Sequence, residues 1–155
     1  MCIRLATLAD ITGVTSLVGR YWNYEAIAGF DAPQIQTLLR TLLLEPERGA
    51  CWIADTQGTL CGYLLAVYVF SLEHGGLMAE IDEFFVRSEQ RSSGLGAALL
   101  AHAEGEFTRR GLVRVQLQLG ADNHRGRQFY ERHGYLARTG YLLLDKPATP
   151  AVVPI

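Results

Sequence analysis

Three carboxylates fall within four residues of an otherwise apolar stretch, "LMAEIDEFFV": Glu80, Asp82 and Glu83. Acids set among strand-forming residues need partners, because burying an unpaired charge is costly. Such a group attracts a cation, and one member of it can take a proton from an amine. Strand alternation puts Glu80 and Asp82 on one face and Glu83 on the other, unless a bulge reverses the faces locally. Directly downstream the chain reads "RSSGLGA". A strand that stops where a helix begins, with glycines at the junction, turns the N–H groups of the first helical turn outward and makes an anion site. The plainer use of Gly-x-Gly is a turn that needs positive φ.

Three phosphate-binding designs compete for this junction. A P-loop requires Gly-Lys-Ser/Thr, and here Gly96 is followed by Ala97 and Ala98. A dinucleotide fingerprint requires Gly or Ala three residues after the second glycine, where Leu99 stands, and an early strand-turn-helix position that this chain does not offer. The third design is Arg/Gln-x-x-Gly-x-Gly/Ala, met by Arg91-Ser92-Ser93-Gly94-Leu95-Gly96. With "EFFV" before it and "NHRGRQFYERHGY" after it, the sequence resembles the GNAT superfamily of acyl-coenzyme A-dependent N-acyltransferases, from "IRLATLADI" through "RHGYLART". One departure is Ser92, where the family often has Gly.

The resemblance implies acetyl-CoA as cosubstrate, no metal, and an acetyl group moved to a primary amine by direct attack. It assigns the pyrophosphate to the successive backbone N–H groups of about Ser92, Ser93, Gly94, Leu95, Gly96 and Ala97, with Arg91 as a further cofactor contact, and the pantetheine arm to the strand holding Phe84, Phe85 and Val86. Successive N–H groups at the positive end of a helix dipole suit a pyrophosphate without a lysine, and exposed strand backbone can pair with the pantetheine amides as a further strand would. A backbone N–H near Phe85 or Val86 would meet the oxyanion. Tyr130 in "QFYERHGY" is implied as the acid that protonates the departing thiolate and as a cofactor contact; packing of Phe129 and Tyr130 between helix and sheet is the alternative. Asn123 serves as helix cap, cofactor contact, or both. Counted back from Arg91, Glu80 matches the general base of histone-acetylating members and Asp82 the acidic residue of polyamine-acetylating members.

The acceptor pocket should come from outside the cofactor motif. In "RYWNYEAIAGF", Tyr21, Trp22, Tyr24 and Glu25 offer aromatic faces and a charge to an ammonium group, although Tyr21 and Trp22 suit a core equally well. The loop "SLEHGG" adds Glu73, and Glu83 completes the acidic surroundings. An acyl-CoA-binding regulatory module without turnover is the competing function; it would need neither Tyr130 nor the acidic strand.

These residues have to be positioned by alternating strands and helices. "CIRLA" reads as a strand, and Thr7 or Asp10 caps a helix that runs to about Tyr24. Asp31 and Pro33 open a second helix that ends before Pro46. "ACWIAD" and "LCGYLLAVYVF" form a hairpin about Gln57 and Gly58, which places Cys51 near Leu64 and not across from Cys61. "LMAEIDEFFV" is a third long strand, "GLGAALLAHAEGEFTRR" a helix with Leu95, Ala98, Leu99, Ala103 and Phe107 at helical spacing, and "LVRVQLQL" a strand. A short helix over "NHRGRQFYERH" precedes Gly134, and "YLARTGYLLLD" returns as one or two strands. The expected class is α/β (α+β): a GNAT fold with a mixed, mostly antiparallel sheet of six to seven strands, about four helices, and strands 4 and 5 splayed. One domain spans 1–146 and a Pro-rich tail 147–155.

Composition sets the remaining bounds. Of 155 residues, 49% are hydrophobic and 19% charged, as in ordinary globular proteins. The net charge of −2 is uneven: residues 1–86 hold four Arg against ten Asp/Glu, and residues 87–140 nine Arg against five. An acidic first half favours a cationic small-molecule or peptide amine over nucleic acid. No apolar run reaches membrane-spanning length, no basic leader precedes an apolar one, and the expected location is the cytoplasm. Cys2, Cys51 and Cys61 read as small hydrophobes rather than a disulfide framework, and no Cys/His cluster has zinc spacing. The apolar "AVVPI" could cross to a second copy in a homodimer.

Overall fold

The computed structural model describes residues 1–149. Its chain order is β1 (Cys2–Leu5), α1 (Ile11–Tyr24), α2 (Ala32–Leu44), β2 (Gly49–Thr56), β3 (Thr59–Ser71), β4 (Gly76–Val86), α3 (Leu95–Arg109), β5 (Val115–Leu117) and α4 (His124–Arg132). Short 3-10 turns at Leu8–Asp10 and Ser88–Gln90 introduce α1 and precede the glycine loop. The strands lie in the order β1-β2-β3-β4-β5. All neighbours are antiparallel except β4 and β5, which run parallel.

Local chemistry accounts for the boundaries. Asp10 accepts from the Thr7 backbone N–H at 2.7 Å and from Arg4 on β1 at 2.8 Å, so one carboxylate closes the entry to α1 and ties it to the sheet. Asp31 precedes α2, whose first turn accommodates Pro33 because that N–H has no helical partner anyway. Gln57 and Gly58 both take positive φ, 53° and 84°, the conformation a two-residue hairpin turn demands. Beyond that turn Cys61 bulges out of register with β2, so Cys51 faces Leu65 and not Leu64.

Alternation along the hairpin sorts side chains into two layers. Cys51, Ile53, Tyr63 and Phe85 are buried beneath Ile11, Val14, Leu17 and Val18 of α1 and Ile35 and Leu39 of α2. On the other face Trp52 meets Phe107 of α3 edge-on, with ring centroids 5.4 Å apart, and Leu95 packs with Ala54 and Cys61. All three cysteines are free thiols, and Cys51 and Cys61 are buried.

The chain divides into two compact units, one over Met1–Gln118 and one beginning at Leu119. The first holds the whole sheet. The second holds α4, which ends at Gly134 (φ 90°): the Tyr135 N–H reaches the Tyr130 carbonyl at 3.0 Å and the Gly134 N–H reaches Glu131 at 3.1 Å, a Schellman closure. Among the described residues the sheet has five strands, not six to seven, because residues 135–145 form no strand. A strand needs a neighbouring ladder as well as apolar side chains, and Leu136 and Leu142, Leu143 and Leu144 are exposed. Likewise "LVRVQLQL" contributes only the three residues of β5. Among the described residues no helix is long and apolar enough to cross a membrane. "AVVPI" lies outside the described residues.

Candidate active site

The three acids stand where β4 changes register. Tyr63 and Leu65 of β3 pair with Phe85 and Glu83, but Ala66 pairs with Ile81 and Val67 with Glu80, leaving Asp82 as the extra residue of a bulge. Tyr63, Leu65 and Val67 alternate onto the face covered by α1 and α2, so Glu83 and Glu80 share that face. Unbroken alternation would have separated them; the bulge reverses the strand's facing at its midpoint. Pairing with β5 covers Ala79, Glu80 and Ile81 only, whereas pairing with β3 continues to Val86. β4 and the edge strand β5 therefore part at the bulge, and Asp82 to Val86 run on past the end of β5.

Glu83 is the most firmly held of the three. Trp22 Nε1 on α1 donates to Oε2 at 2.6 Å, and the Tyr63 hydroxyl on β3 donates to Oε1 at 2.7 Å. Burial pushes the Glu83 carboxyl up; these two donors pull it back and the nearby Asp82 charge adds to the rise, for a net upward displacement. Burial and the Glu80 charge raise Asp82 as well, although its side chain reaches solvent. Glu80 receives a weaker contact at 3.4 Å from Gln118, just past β5. The Tyr21 phenol is pushed up to about 12, first by burial and then by the charges of Glu25, Glu83 and Asp82. Among the described residues the ion pairs involve Asp10, Asp55, Glu89, Glu45, Glu106 and Glu131, and none includes Glu80, Asp82 or Glu83.

The aromatic wall comes from the last turn of α1. Tyr21 packs on Phe85 with centroids 5.8 Å apart, and Trp22 stands edge-on to Phe30 at 6.1 Å. Trp22 is thus both packed and polar, which joins the two uses that the sequence leaves open. Tyr24 is exposed and carries the Arg91 guanidinium 4.4 Å from its ring centre. Glu73 falls in the turn joining β3 to β4, at the end of β4 away from Val86. With Glu83 seven residues beyond Gly76, the strand rise separates that turn from Glu83 by roughly 20 Å.

The glycine loop takes the form its residues require. Arg91 Nε donates to the Val86 carbonyl at 3.0 Å, and its guanidinium also lies 5.5 Å from the Phe85 ring centre, so the loop folds back on the end of β4. Gly94 adopts φ 84° immediately before α3, and the Ala98 N–H bonds to its carbonyl, so the N–H groups of Leu95, Gly96 and Ala97 belong to the open first turn. Ser92 also takes positive φ, 67°, the conformation glycine accepts most readily. Ser93 Oγ donates to the Gln90 carbonyl at 2.5 Å.

In the second unit Asn123 caps α4, its Oδ1 accepting from the Gly126 N–H at 2.9 Å. Tyr130, in the last turns of that helix, packs against Phe129 and Tyr135 with centroids 5.3 and 5.4 Å away. Sequence reasoning overlooked Tyr63. Its signal was a tyrosine in an apolar strand whose hydroxyl, once inside, would need a partner.

Comparison with known proteins agrees with this architecture. The model of the acetyltransferase (GNAT) family matches residues 15–135. The uncharacterized N-acetyltransferase YhfO of Bacillus subtilis is 27% identical over 150 residues, spanning 96% of this chain and 99% of that one. An integron cassette protein from the mobile metagenome of the Cole Harbour salt marsh superposes with a TM-score of 0.83 at 25% identity, covering 97% of this chain and 92% of the other. A Clostridium acetobutylicum protein solved with acetyl-CoA shares the fold with a TM-score of 0.80 at 17% identity, over 93% and 95% of the two chains. With its strand, glycine loop and helix in the expected order, and the family match running from α1 past α4, the chain belongs to the GNAT acetyltransferase family.

Proposed function

We propose that this acetyltransferase moves the acetyl group of acetyl-CoA to a cationic primary amine, a small molecule or a peptide amine, by direct attack within one catalytic domain over residues 1–146. The observation that carries the choice of acceptor is β4 itself: three carboxylates within four residues, none in an ion pair among the described residues, bordered by Tyr21 and Trp22, with Tyr24 farther along α1 under the Arg91 guanidinium. Such surroundings favour an ammonium over an anion or a nucleic acid. Glu25 reinforces the negative potential, and Glu73 adds to it at long range.

In this reading Ser92, Ser93, Gly94 and the first-turn N–H groups of Leu95, Gly96 and Ala97 hold the pyrophosphate, with Arg91 fastening the loop. Phe84, Phe85 and Val86 present backbone to the pantetheine arm. A β4 carboxylate, Glu80, Asp82 or Glu83, takes a proton from the ammonium, and the neutral amine attacks the thioester carbonyl. A backbone N–H near Phe85 or Val86 stabilises the oxyanion. Tyr130 protonates the departing thiolate, and Asn123, besides capping α4, touches the cofactor. The free thiols of Cys2, Cys51 and Cys61 support a reducing compartment, the cytoplasm.

The test incubates the purified chain with acetyl-CoA and a panel of amines and measures released thiol. Amine-dependent release that is greatest with cationic amines, and that falls roughly 10²-fold or more in Tyr130→Phe, is the expected result. Tight acetyl-CoA binding with no amine-dependent thiol release would instead support an acyl-CoA-binding module without turnover.

A further inference from the structure

The geometry points to Glu83 as the carboxylate that receives the acceptor's ammonium and takes its proton, with Trp22 and Tyr63 as positioning residues that aim it without neutralising its charge. The inference rests on the acetyl-transfer reading and selects one of its three acids. Glu83 alone has both oxygens fixed, each by a donor from a different element: Oε2 by the indole N–H of α1 and Oε1 by the phenol of β3. Both donors are uncharged. A carboxylate has about four lone-pair directions, so two accepted bonds set its plane and leave capacity for an ammonium. An arginine in either place would have cancelled the charge that the reaction needs.

The competitors are less well prepared. Glu80 has a single long contact, 3.4 Å from Gln118. Asp82 is the bulge residue and reaches solvent, where a proton acceptor is less constrained. Around Glu83 stand Tyr21 and Trp22 from α1, the buried thiol of Cys51 from β2, Tyr63 from β3, and Asp82 with Glu80 from β4, while α2 supplies the apolar side chains of Ile35, Leu39, Leu42 and Leu43. Arg91 is the cation on this side; it is held over the Tyr24 and Phe85 rings and bonded to the Val86 carbonyl, while the two donors on Glu83 are the uncharged Trp22 and Tyr63. Burial raises the Glu83 carboxyl, which makes it a stronger base than an exposed glutamate, and the two hydrogen bonds limit that rise.

The step balances as follows. The ammonium gives one proton to a Glu83 oxygen and becomes a neutral amine. Its lone pair forms the C–N bond at the acetyl carbonyl carbon, the C–S bond breaks with its electrons leaving on sulfur, the acid Tyr130 gives that sulfur a proton, and the second proton from nitrogen restores the tyrosine. One proton therefore rests on Glu83 until solvent removes it.

The experiment records kcat/KM against pH for the wild type, Trp22→Phe, Tyr63→Phe, Glu83→Gln and Glu80→Gln, using the best cationic amine of the panel. Glu83→Gln should lose about 100-fold or more and abolish the acidic limb. Tyr63→Phe keeps the ring, Trp22→Phe puts a smaller aromatic ring in place of the indole, and each deletes one donor. Because the ionised form is the active one and each donor favours that form, their acidic limbs should move to higher pH. A purely structural role would lower the whole profile without moving the limb. A second readout needs no turnover: the chain has two tryptophans, so wild-type minus Trp22→Phe emission isolates Trp22. That emission should titrate with the same midpoint as the limb, move up in Tyr63→Phe and cease to titrate in Glu83→Gln. An unmoved limb in both donor variants, or a limb lost in Glu80→Gln and kept in Glu83→Gln, overturns the assignment and leaves acetyl transfer standing. Absence of amine-dependent thiol release by the wild type overturns both.

Discussion

Ser92 shows how one residue records a compromise. At φ 67° it occupies the left-handed region, where a side chain costs roughly 1–2 kcal/mol that glycine avoids. Replacement by glycine gives back part of that gain through extra freedom in the unfolded chain. Ser92→Gly should therefore raise stability by about 0.5–1 kcal/mol, read as a higher Tm in thermal unfolding. A lower Tm would mean that the serine side chain contributes more than its backbone costs. The sequence already marked this position as the departure from the family pattern, but the strain became visible only with the backbone angle. Glu83 is the complementary case: its presence was legible, whereas its two donors come from residues 61 and 20 positions away and no local pattern announces them.

At the scale of elements, the entry to α1 depends on a single carboxylate. Arg4, by hydrogen bond, and the Thr7 backbone and hydroxyl hold Asp10 at about 2, well below the ordinary carboxylate value. A group depressed in the folded state adds stability that is fully present above its unfolded value and is lost as pH falls toward the folded one. The Tm difference between wild type and Asp10→Asn should thus be constant above about pH 5 and shrink toward zero near pH 2, in melting curves recorded at fixed ionic strength. A difference that kept its full size at pH 2 would remove the carboxylate charge from the explanation. β4 teaches the opposite lesson about legibility. Its extent was readable from apolar content, yet its facing was not, because a bulge inserts one residue according to what the neighbouring strand and the parting β5 can pair with. The same reason accounts for residues 135–145, where apolar content suggested strands and no ladder formed.

For the whole molecule, a cosubstrate that binds only the folded chain must stabilise it by mass action. Acetyl-CoA at about 100 times its Kd should add about 2.7 kcal/mol, seen as a concentration-dependent rise in Tm, and no rise at saturating acetyl-CoA would contradict the binding loop. The acidic first half should also steer a cationic acceptor, so kcat/KM for the amine should fall with added salt more steeply than for a neutral analogue. The motifs of the sequence carried the resemblance to the family and, through it, the acyl donor; local residue types set the helix entry at Asp31, the turn at Gln57 and Gly58 and the stop at Gly134, and left Thr7 and Asp10 both open at α1. These depend on neighbours within a few residues, and their geometry is set by local sterics and hydrogen bonds. Tertiary structure alone decided the strand count, the face shared by Glu80 and Glu83, and the pair of donors on Glu83. Those follow from register and burial, which are settled between segments distant in the chain.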